Sequence, residues 1–407
     1  MAIRSGCTVG RTTGESSLSD QLHKYKSRQL REEAKKTEKE KLRAANPARE
    51  SLSSKCIRVI VENFNTRPVK EAIPPPQMAL ITKQLSTNID PAVGAKYVHD
   101  ENFWKRCCVE KFGWHNCHLV EHGLLWKQMF FEKFIQERLE DFDPSTENVN
   151  DLYEQLDSCM DYIFTITFKQ LPSHLDMSDI CTSLPNLSKL DITYGVKKIG
   201  MHYERMLFGM KISDATSLAR TFEHSTSLTT LLMTGNMIDD DLLRMLMTGL
   251  IKNNTITYLD ISHNKITNHG ARLLSKLMGE NCVISTLNLA DNQIHTEGGR
   301  YLARGLRENE SLLHLNLRLN RLGDEGCKLL MEGLHDNITL TDINIGSNSA
   351  GRQTAHVLCS LLREEDCRLI AIDLCSNELQ FEDVDRIRAT ISTNHTLCRL
   401  DLRRNDG

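Results

Sequence analysis

One asparagine recurs at a nearly constant spacing through the second half of the chain. Seven such residues are separated by intervals of 28 residues, apart from one interval of 29. They are Asn236, Asn264, Asn292, Asn320, Asn348, Asn377 and Asn405. Apolar residues stand eight, five and three positions before each one, as Ile256, Leu259 and Ile261 do before Asn264. A chain with this period folds as a stack of similar units rather than around one central core.

The same units predict a helix after each asparagine. Apolar residues stand ten and fourteen positions after it, as in Leu246 with Leu250, and a separation of four places both on one helix face. A strand, a turn and a helix in each unit are typical of leucine-rich repeats. The predicted fold class is α/β: a right-handed leucine-rich-repeat solenoid of 28-residue repeats, with a parallel concave sheet, convex helices and an N-terminal helical cap domain.

The repeats also predict which polar residues are structural and which are free to bind. We interpret the seven asparagines as a structural ladder whose side chains bond the backbone where the chain leaves each strand. Strand residues between the inward apolar positions face the concave side. A central column there contains Asp260, Asn288, Asn316, Asn344, Asp373 and Asp401. We expect either a docking strip for a basic or polar partner or a generic solvated column.

Irregular segments mark the two ends of the solenoid, which we assign to 150–407. Ile163–Phe168 alternates like a first strand, and an inserted stretch near Lys197–Gly209 predicts a protruding loop. At the other end, the strand Leu397–Leu402 is followed by five residues and no polar capping repeat. Terminal repeats need a cap, so we expect another protein to cover this edge strand.

The first 149 residues divide into two further regions. Residues 1–50 contain 12 basic and 7 acidic residues and predict a basic tail, partly disordered or helical, with a charged helix over Leu18–Leu42. Residues 51–149 predict a linker and an aromatic-rich helical cap that holds all three tryptophans. Within it, Cys56–Val61 favours a short strand, whereas the spacing of Trp126 with Phe130 favours a helix.

Composition and motifs favour a non-catalytic protein. The 50 Lys and Arg nearly balance the 54 Asp and Glu, which argues against a nucleic-acid or membrane partner. The sequence has no glycine-rich phosphate loop, dinucleotide fingerprint, nucleophile elbow or zinc-protease helix. The cysteines and histidines between Cys107 and His122 lack the paired spacing of zinc sites, so no metal and no cofactor is expected.

The N-terminus predicts a protein that is not secreted, and the glycosylation sequons are interpreted accordingly. No continuous apolar signal segment follows Met1, so a cytoplasmic location with reduced cysteines is expected. We interpret the five Asn-x-Ser/Thr sequons as chance matches. They begin at Asn186, Asn253, Asn309, Asn337 and Asn394.

The sequence resembles two known groups of proteins. The period and the glycine-containing convex turns resemble ribonuclease-inhibitor-type repeats, which implies protein binding. The aromatic segments Phe103–Cys107 and Trp126–Glu132, ahead of units such as Tyr258–Ile266, resemble the T-complex-associated testis-expressed family, subunit 5 of the nexin–dynein regulatory complex. The likeness covers roughly residues 50–407.

The family resemblance implies a function, a location and a set of partners. It implies a scaffold in the axoneme of motile cilia and flagella that links doublet microtubules and helps regulate dynein-driven motility. Its partners would be other subunits of the regulatory complex and the doublet microtubule assembly. The family has no catalytic residues to carry over.

Two other classes of protein remain as alternatives. An F-box/leucine-rich-repeat receptor of a cullin ubiquitin ligase would place its adaptor-binding helices around Phe103–Phe134, although a clear Leu-Pro opening is missing near Val98. A Ran-type GTPase-activating protein would need an exposed loop asparagine and basic residues aimed at a nucleotide.

Overall fold

The computed structural model describes residues 51–69, 73–195, 208–279 and 282–406. By its internal contacts the chain forms two compact units, Met1–Ser86 and Thr87–Gly407. The boundary predicted between the cap domain and the solenoid, at residues 149 and 150, stays a prediction. The predicted helix at Leu18–Leu42 and most of the loop at Lys197–Gly209 lie outside the described residues.

The described part of the first unit contains two helices, α1 (Leu52–Glu62) and α2 (Pro75–Gln84). The strand predicted at Cys56–Val61 is wrong, because these residues lie within α1. β-branched residues favour strands locally, but buried or half-buried residues recur here with a helical period from Ile57 to Phe64. The Ser51 side chain also accepts from the N–H of Ser54 and caps the helix.

The second unit begins with four helices. They are α3 (Pro91–Tyr97), α4 (Glu101–Phe112), α5 (Trp126–Glu140) and α6 (Val149–Cys159). Trp104 is fully buried, and its ring centroid lies 5.0 Å from Phe130 and 4.9 Å from Phe131 on α5. Aromatic pairs at such distances add to the burial of apolar area. The helical interpretation of the segment around Trp126 is confirmed.

Nine parallel strands follow in chain order and form one sheet. They are β1 (Thr165–Leu171), β2 (Lys189–Tyr194), β3 (Thr230–Leu232), β4 (Tyr258–Asp260), β5 (Thr286–Asn288), β6 (His314–Asn316), β7 (Asp342–Asn344), β8 (Ala371–Asp373) and β9 (Arg399–Asp401). Each strand pairs with the next in a register that matches the sequence period, so that Leu259 lies beside Leu287 and Leu287 beside Leu315. The predicted parallel sheet of repeated units is confirmed.

A helix connects each strand to the next one. These helices are α7 (Met177–Thr182), α8 (Ile212–His224), α9 (Asp240–Leu250), α10 (Asn268–Leu277), α11 (Thr296–Glu308), α12 (Gly323–Gly333), α13 (Arg352–Leu361) and α14 (Phe381–Ile391). Gly249 on α9 lets the helices approach closely, because a Cβ there would lie 1.9 Å from the carbonyl oxygen of Ala219 on α8. No helix in the described ranges is long and apolar enough to span a bilayer.

Helix α5 lies where a preceding repeat would otherwise bond the first strand. The buried carboxylate of Glu132 accepts from the N–H of Phe164 at 2.9 Å and of Thr165 at 2.8 Å. Glu140 accepts from the N–H of Lys169 at 3.1 Å. Eight helical residues rise about 12 Å, close to the about 13 Å spanned by four strand residues. The two glutamates are therefore spaced to satisfy the free edge of β1.

Replacing Glu132 with alanine should destabilise the repeat domain through its first strand. Two partly buried N–H groups and the buried side chain of Gln128 would lose their acceptor, which should lower the free energy of unfolding by about 3 kcal/mol. Urea unfolding followed by tryptophan fluorescence measures this. Glu137→Ala is the control, since the Glu137 carboxylate is half-exposed and pairs with Lys111. An equal loss in both variants would contradict this role for Glu132.

Candidate functional site

The asparagine ladder connects each repeat to the one before it. The Asn264 side-chain NH2 donates to the carbonyl oxygens of Met233 and Ile261, both at 3.0 Å, and its Oδ1 accepts from the N–H of Ile238. The same side chain thus serves its own unit and the preceding one. The ladder members Asn292, Asn320, Asn348, Asn377 and Asn405 have equivalent bonds, and Asn236 bonds the backbone of Ile192 and Tyr194.

The residue before each ladder asparagine adopts a left-handed backbone. These seven residues, with φ between 52° and 66°, are Gly235, His263, Asp291, Leu319, Ser347, Ser376 and Arg404. Six of them carry a side chain, for which this conformation costs about 1 kcal/mol or more. The left-handed residue turns the chain out of the strand, and the hydrogen bonds of the following asparagine hold the turn. Leu319 shows the constraint best, since its side chain is held out toward solvent.

The residues of the concave column also bond their own backbone. In all six, a side-chain oxygen accepts from the N–H two residues ahead, as Asp260 does from Ser262 at 2.9 Å and Asn316 from Arg318 at 3.1 Å. The side-chain NH2 of Asn288 donates to Asp260 at 2.7 Å, and that of Asn344 donates to Asp373 at 2.9 Å. Much of the column's hydrogen-bonding capacity is therefore used within the fold.

A groove of about 510 Å³ runs along the concave face from β4 to β9. Asp342 stands on its wall, 3.1 Å from the His314 ring nitrogen and 3.1 Å from the Arg399 guanidinium. Arg399 reaches Asp342 across the intervening strand β8, where the same register position is Ala371. The small side chain of Ala371 leaves space for this ion pair to cross β8.

Two groups in or near the groove, the carboxyl of Asp401 and the thiol of Cys375, have shifted pKa values. Hydrogen bonds from Arg403 lower the pKa of Asp401 to about 2. Burial raises the pKa of the Cys375 thiol, whose sulfur lies within 4.8 Å of carboxylate oxygens of Asp373 and Asp401. A thiol with a raised pKa is a poor nucleophile. This chemistry suits protein recognition better than covalent catalysis.

Three of the cysteines and histidines of the cap, for which no metal was expected, are buried or bonded within the protein. His122 bonds the buried carboxylate of Glu132, and the Cys108 thiol donates to the carbonyl oxygen of Trp126 at 3.4 Å. Burial raises the pKa of the Cys107 thiol to about 12. These contacts account for three of the residues whose types suggested zinc.

A second asparagine ladder was missed at the sequence level. Its amides donate to the last carbonyls of the preceding unit's helix region, as Asn253 does to Phe222 at 2.8 Å and Asn337 to Leu306 at 2.7 Å. The Oδ1 of Asn253 accepts from the N–H of Thr255, and the Thr255 hydroxyl donates to Leu228. Asn309 and Asn394 repeat this arrangement. Four of the five sequons therefore have a structural cause, and the signal was their spacing of 56, 28 and 57 residues, which follows the repeat period.

A third set of side chains links successive helices at their N-termini. Asp240 accepts from the N–H groups of Thr267 and Gly270, and Asn268, one repeat later, accepts from His295 and Gly298. Asp324, two repeats after Asn268, accepts from the backbone of the unit that contains α13. At these three positions the start of one helix thus accepts from the start of the next unit's helix, which aligns the convex layer.

The first asparagine ladder should contribute more to the free energy of unfolding than the concave column does. Asn320 is buried, donates to the carbonyls of Leu289 and Leu317 at 2.9 Å, and accepts from Ile294. Asn320→Ala should lower the free energy of unfolding by about 2 to 4 kcal/mol, since several buried backbone groups lose their partners. The matched variant Asn316→Ala, on the concave face, should cost about 1 kcal/mol or less. Denaturant unfolding compares them, and similar losses would refute the distinction.

Acid should weaken the contact made by Asp324. Burial disfavours its charge, but the hydrogen bonds from Thr354, Gln353 and Gly351 outweigh this and lower its pKa. A lowered native pKa stabilises the fold above the unfolded value, about 4, and this stability is lost as pH falls through the native value. Asp324→Asn, which copies Asn268, should cost about 1 kcal/mol at pH 7. Thermal unfolding measured from pH 7 to pH 3 should show the stability difference between Asp324→Asn and the unchanged chain becoming smaller. A difference that stays constant with pH would contradict this role for Asp324.

The fold and its ladders define a leucine-rich-repeat protein. A family model described as Leucine Rich repeat matches residues 252–275, 280–303 and 308–331. Among solved structures, an internalin from Listeria monocytogenes aligns with 62% of this chain and 64% of its own at 16% identity. Its TM-score of 0.35 is too low to carry an argument.

Within that class, the chain is similar to proteins named dynein regulatory complex subunit 5. The Chlamydomonas reinhardtii protein is 39% identical over 191 residues, 47% of this chain and 48% of the relative. The Mus musculus protein is 32% identical over 240 residues, 52% of this chain and 48% of the relative. The resemblance predicted from the aromatic segments and the repeats is confirmed, and the chain spans about half the length of these curated relatives.

Proposed function

We propose that the chain is a non-catalytic structural scaffold of the nexin–dynein regulatory complex in the axoneme of motile cilia and flagella. There it would hold other subunits in place, link doublet microtubules and help regulate dynein-driven motility. The observation that carries the proposal is the 39% identity to the Chlamydomonas reinhardtii subunit 5. The repeat fold supports it, because solenoids offer an extended concave surface for other proteins.

Two surfaces of the solenoid are the proposed contacts with neighbouring subunits. The first is the concave groove, where the exposed Arg399 and its partner Asp342 offer a charged pair that a polar partner can meet. The second is the edge strand Leu397–Leu402. Its Leu400 is half-buried, whereas Ile372 at the same register position of β8 is buried. A further strand or helix from another protein would complete this burial.

Axoneme fractionation tests the proposed location and assembly. The full chain, tagged in ciliated cells, should stay with detergent-extracted axonemes and co-precipitate other subunits of the regulatory complex. Arg399→Glu should weaken that co-precipitation about fivefold or more if the groove is a contact. Arg300→Glu is the matched control, since Arg300 lies on α11 and pairs with Glu297.

The outcomes of this experiment separate the alternatives. Recovery of the chain only in the detergent-soluble fraction, together with a cullin and its adaptor, would replace the axonemal scaffold with the ligase receptor. Equal binding by Arg399→Glu and Arg300→Glu, with the chain still in the axoneme, would remove only the groove from the proposal.

A further inference from the structure

The segment that joins α4 and α5 displays apolar side chains to solvent. We call residues 113–125 the connector. Four of its side chains are large, apolar and exposed: Trp114 at 58%, Val120 at 83%, Leu124 at 64% and Leu125 at 49%. The other exposed large apolar residues of this unit are spread over residues 160–381. Apolar exposure concentrated in one short segment is typical of an interaction site.

The connector holds Leu124 in a strained conformation. Its φ is 63°, in the left-handed region that a leucine rarely adopts. A hydrogen bond from its N–H to the carbonyl of Leu119, 3.0 Å long, and the left-handed Gly123 before it fix this turn. The strained residue gains no burial in return, because its side chain is exposed. The residues before the ladder asparagines carry similar strain for a structural reason, but no ladder asparagine follows Leu124. Its strain, together with its exposure, is consistent with a functional site.

Buried contacts fix the connector from beneath. His122 bonds the buried Glu132 of α5, and the Lys133 ammonium donates to the carbonyl oxygen of Asn116. A Cβ at Gly123 would lie 2.7 Å from the side-chain oxygen of Gln128, so the backbone sits directly on α5. The exposed side chains are thus presented on a rigid base, which lowers the entropy cost of binding.

Basic side chains adjoin this apolar surface. A groove of about 420 Å³ beside the connector is lined by Lys111, Lys133, Lys169, Glu137 and His118, among others. Its three ammonium groups face one carboxylate, Glu137, which lies 3.2 Å from Lys111. On the apolar side, the Lys105 ammonium lies 5.4 Å from the Trp114 ring centroid and 5.5 Å from that of Trp126. The connector itself carries one exposed carboxylate, Glu121, so the surface combines exposed apolar side chains with an adjoining groove in which lysines outnumber glutamates.

We propose that the connector and its lysine groove form a docking surface for an amphipathic, acidic helix of another protein. Its apolar side chains would cover Val120, Leu124 and Trp114, and its carboxylates would enter the groove of Lys111, Lys133 and Lys169. A helix fits because residues 113–126 are all described and contain no strand, which leaves no edge for strand addition. The inference rests on the proposed function only in that the chain is assembled with other proteins.

Site-specific photo-cross-linking in the assembled protein tests this surface. A photo-reactive phenylalanine analogue replaces Val120 in the full chain, which is expressed in ciliated cells, and the captured peptide is sequenced by mass spectrometry. The expected product is one dominant peptide with apolar residues at helical spacing and a net negative charge. Capture of a basic or non-helical peptide, of residues 1–50 of this chain, or of no specific peptide would overturn the proposal.

Two variants check the chemistry of the contact. Leu124→Asn removes the apolar side chain but suits a left-handed backbone, so the chain should fold at least as well while the cross-link yield falls about fivefold or more. Lys169→Glu should lower the yield by a similar factor through charge repulsion. The control is Ile338→Asn, whose position is 66% exposed. Unchanged yields in both test variants would also overturn the proposal.

The identity of the captured protein separates this inference from the proposed function. An acidic helix from a protein outside the axoneme would support the docking surface and count against the regulatory-complex role. An acidic helix from a subunit of the regulatory complex would support both.

Discussion

The structure depends on hydrogen bonds that offset backbone strain at the end of each short strand. The chain must leave the strand through a left-handed residue, which is glycine only at Gly235 among the seven. The next asparagine offsets this cost with bonds to carbonyl and N–H groups that no other side chain reaches. A leucine at that position would leave those groups unsatisfied. The 28-residue period follows from this requirement.

The sequence was sufficient to predict the repeats because their signal is local and repeated. The frame before each asparagine and the helical pairs after it predicted every strand from β3 to β9. The strand expected at Cys56–Val61 was wrong, since it rested on β-branched residues alone, and burial along one face of α1 overrides that preference. The second ladder at Asn253 and Asn337 was hidden because its tripeptides also match a glycosylation sequon.

The candidate sites were harder to predict than the fold. The alternation of strand residues predicted the concave column, but sequence alone does not show that Asp260 is buried and bonds Ser262. The connector was visible only as part of an aromatic-rich segment. Its exposed face depends on how Gly123 and His122 seat the segment on α5, which is a long-range contact without a sequence motif.

The asparagine ladder has a direction along the chain. The side chain of each member reaches back to the preceding unit, so that Asn405 completes the turn around Asn377 by bonding Leu374 and Leu379. Loss of one repeat would therefore leave backbone groups of the preceding turn without these partners, as loss of Asn405 would at Leu374 and Leu379. At the other end of the sheet, where no ladder asparagine precedes β1, the glutamates of α5 take over this task for its backbone N–H groups.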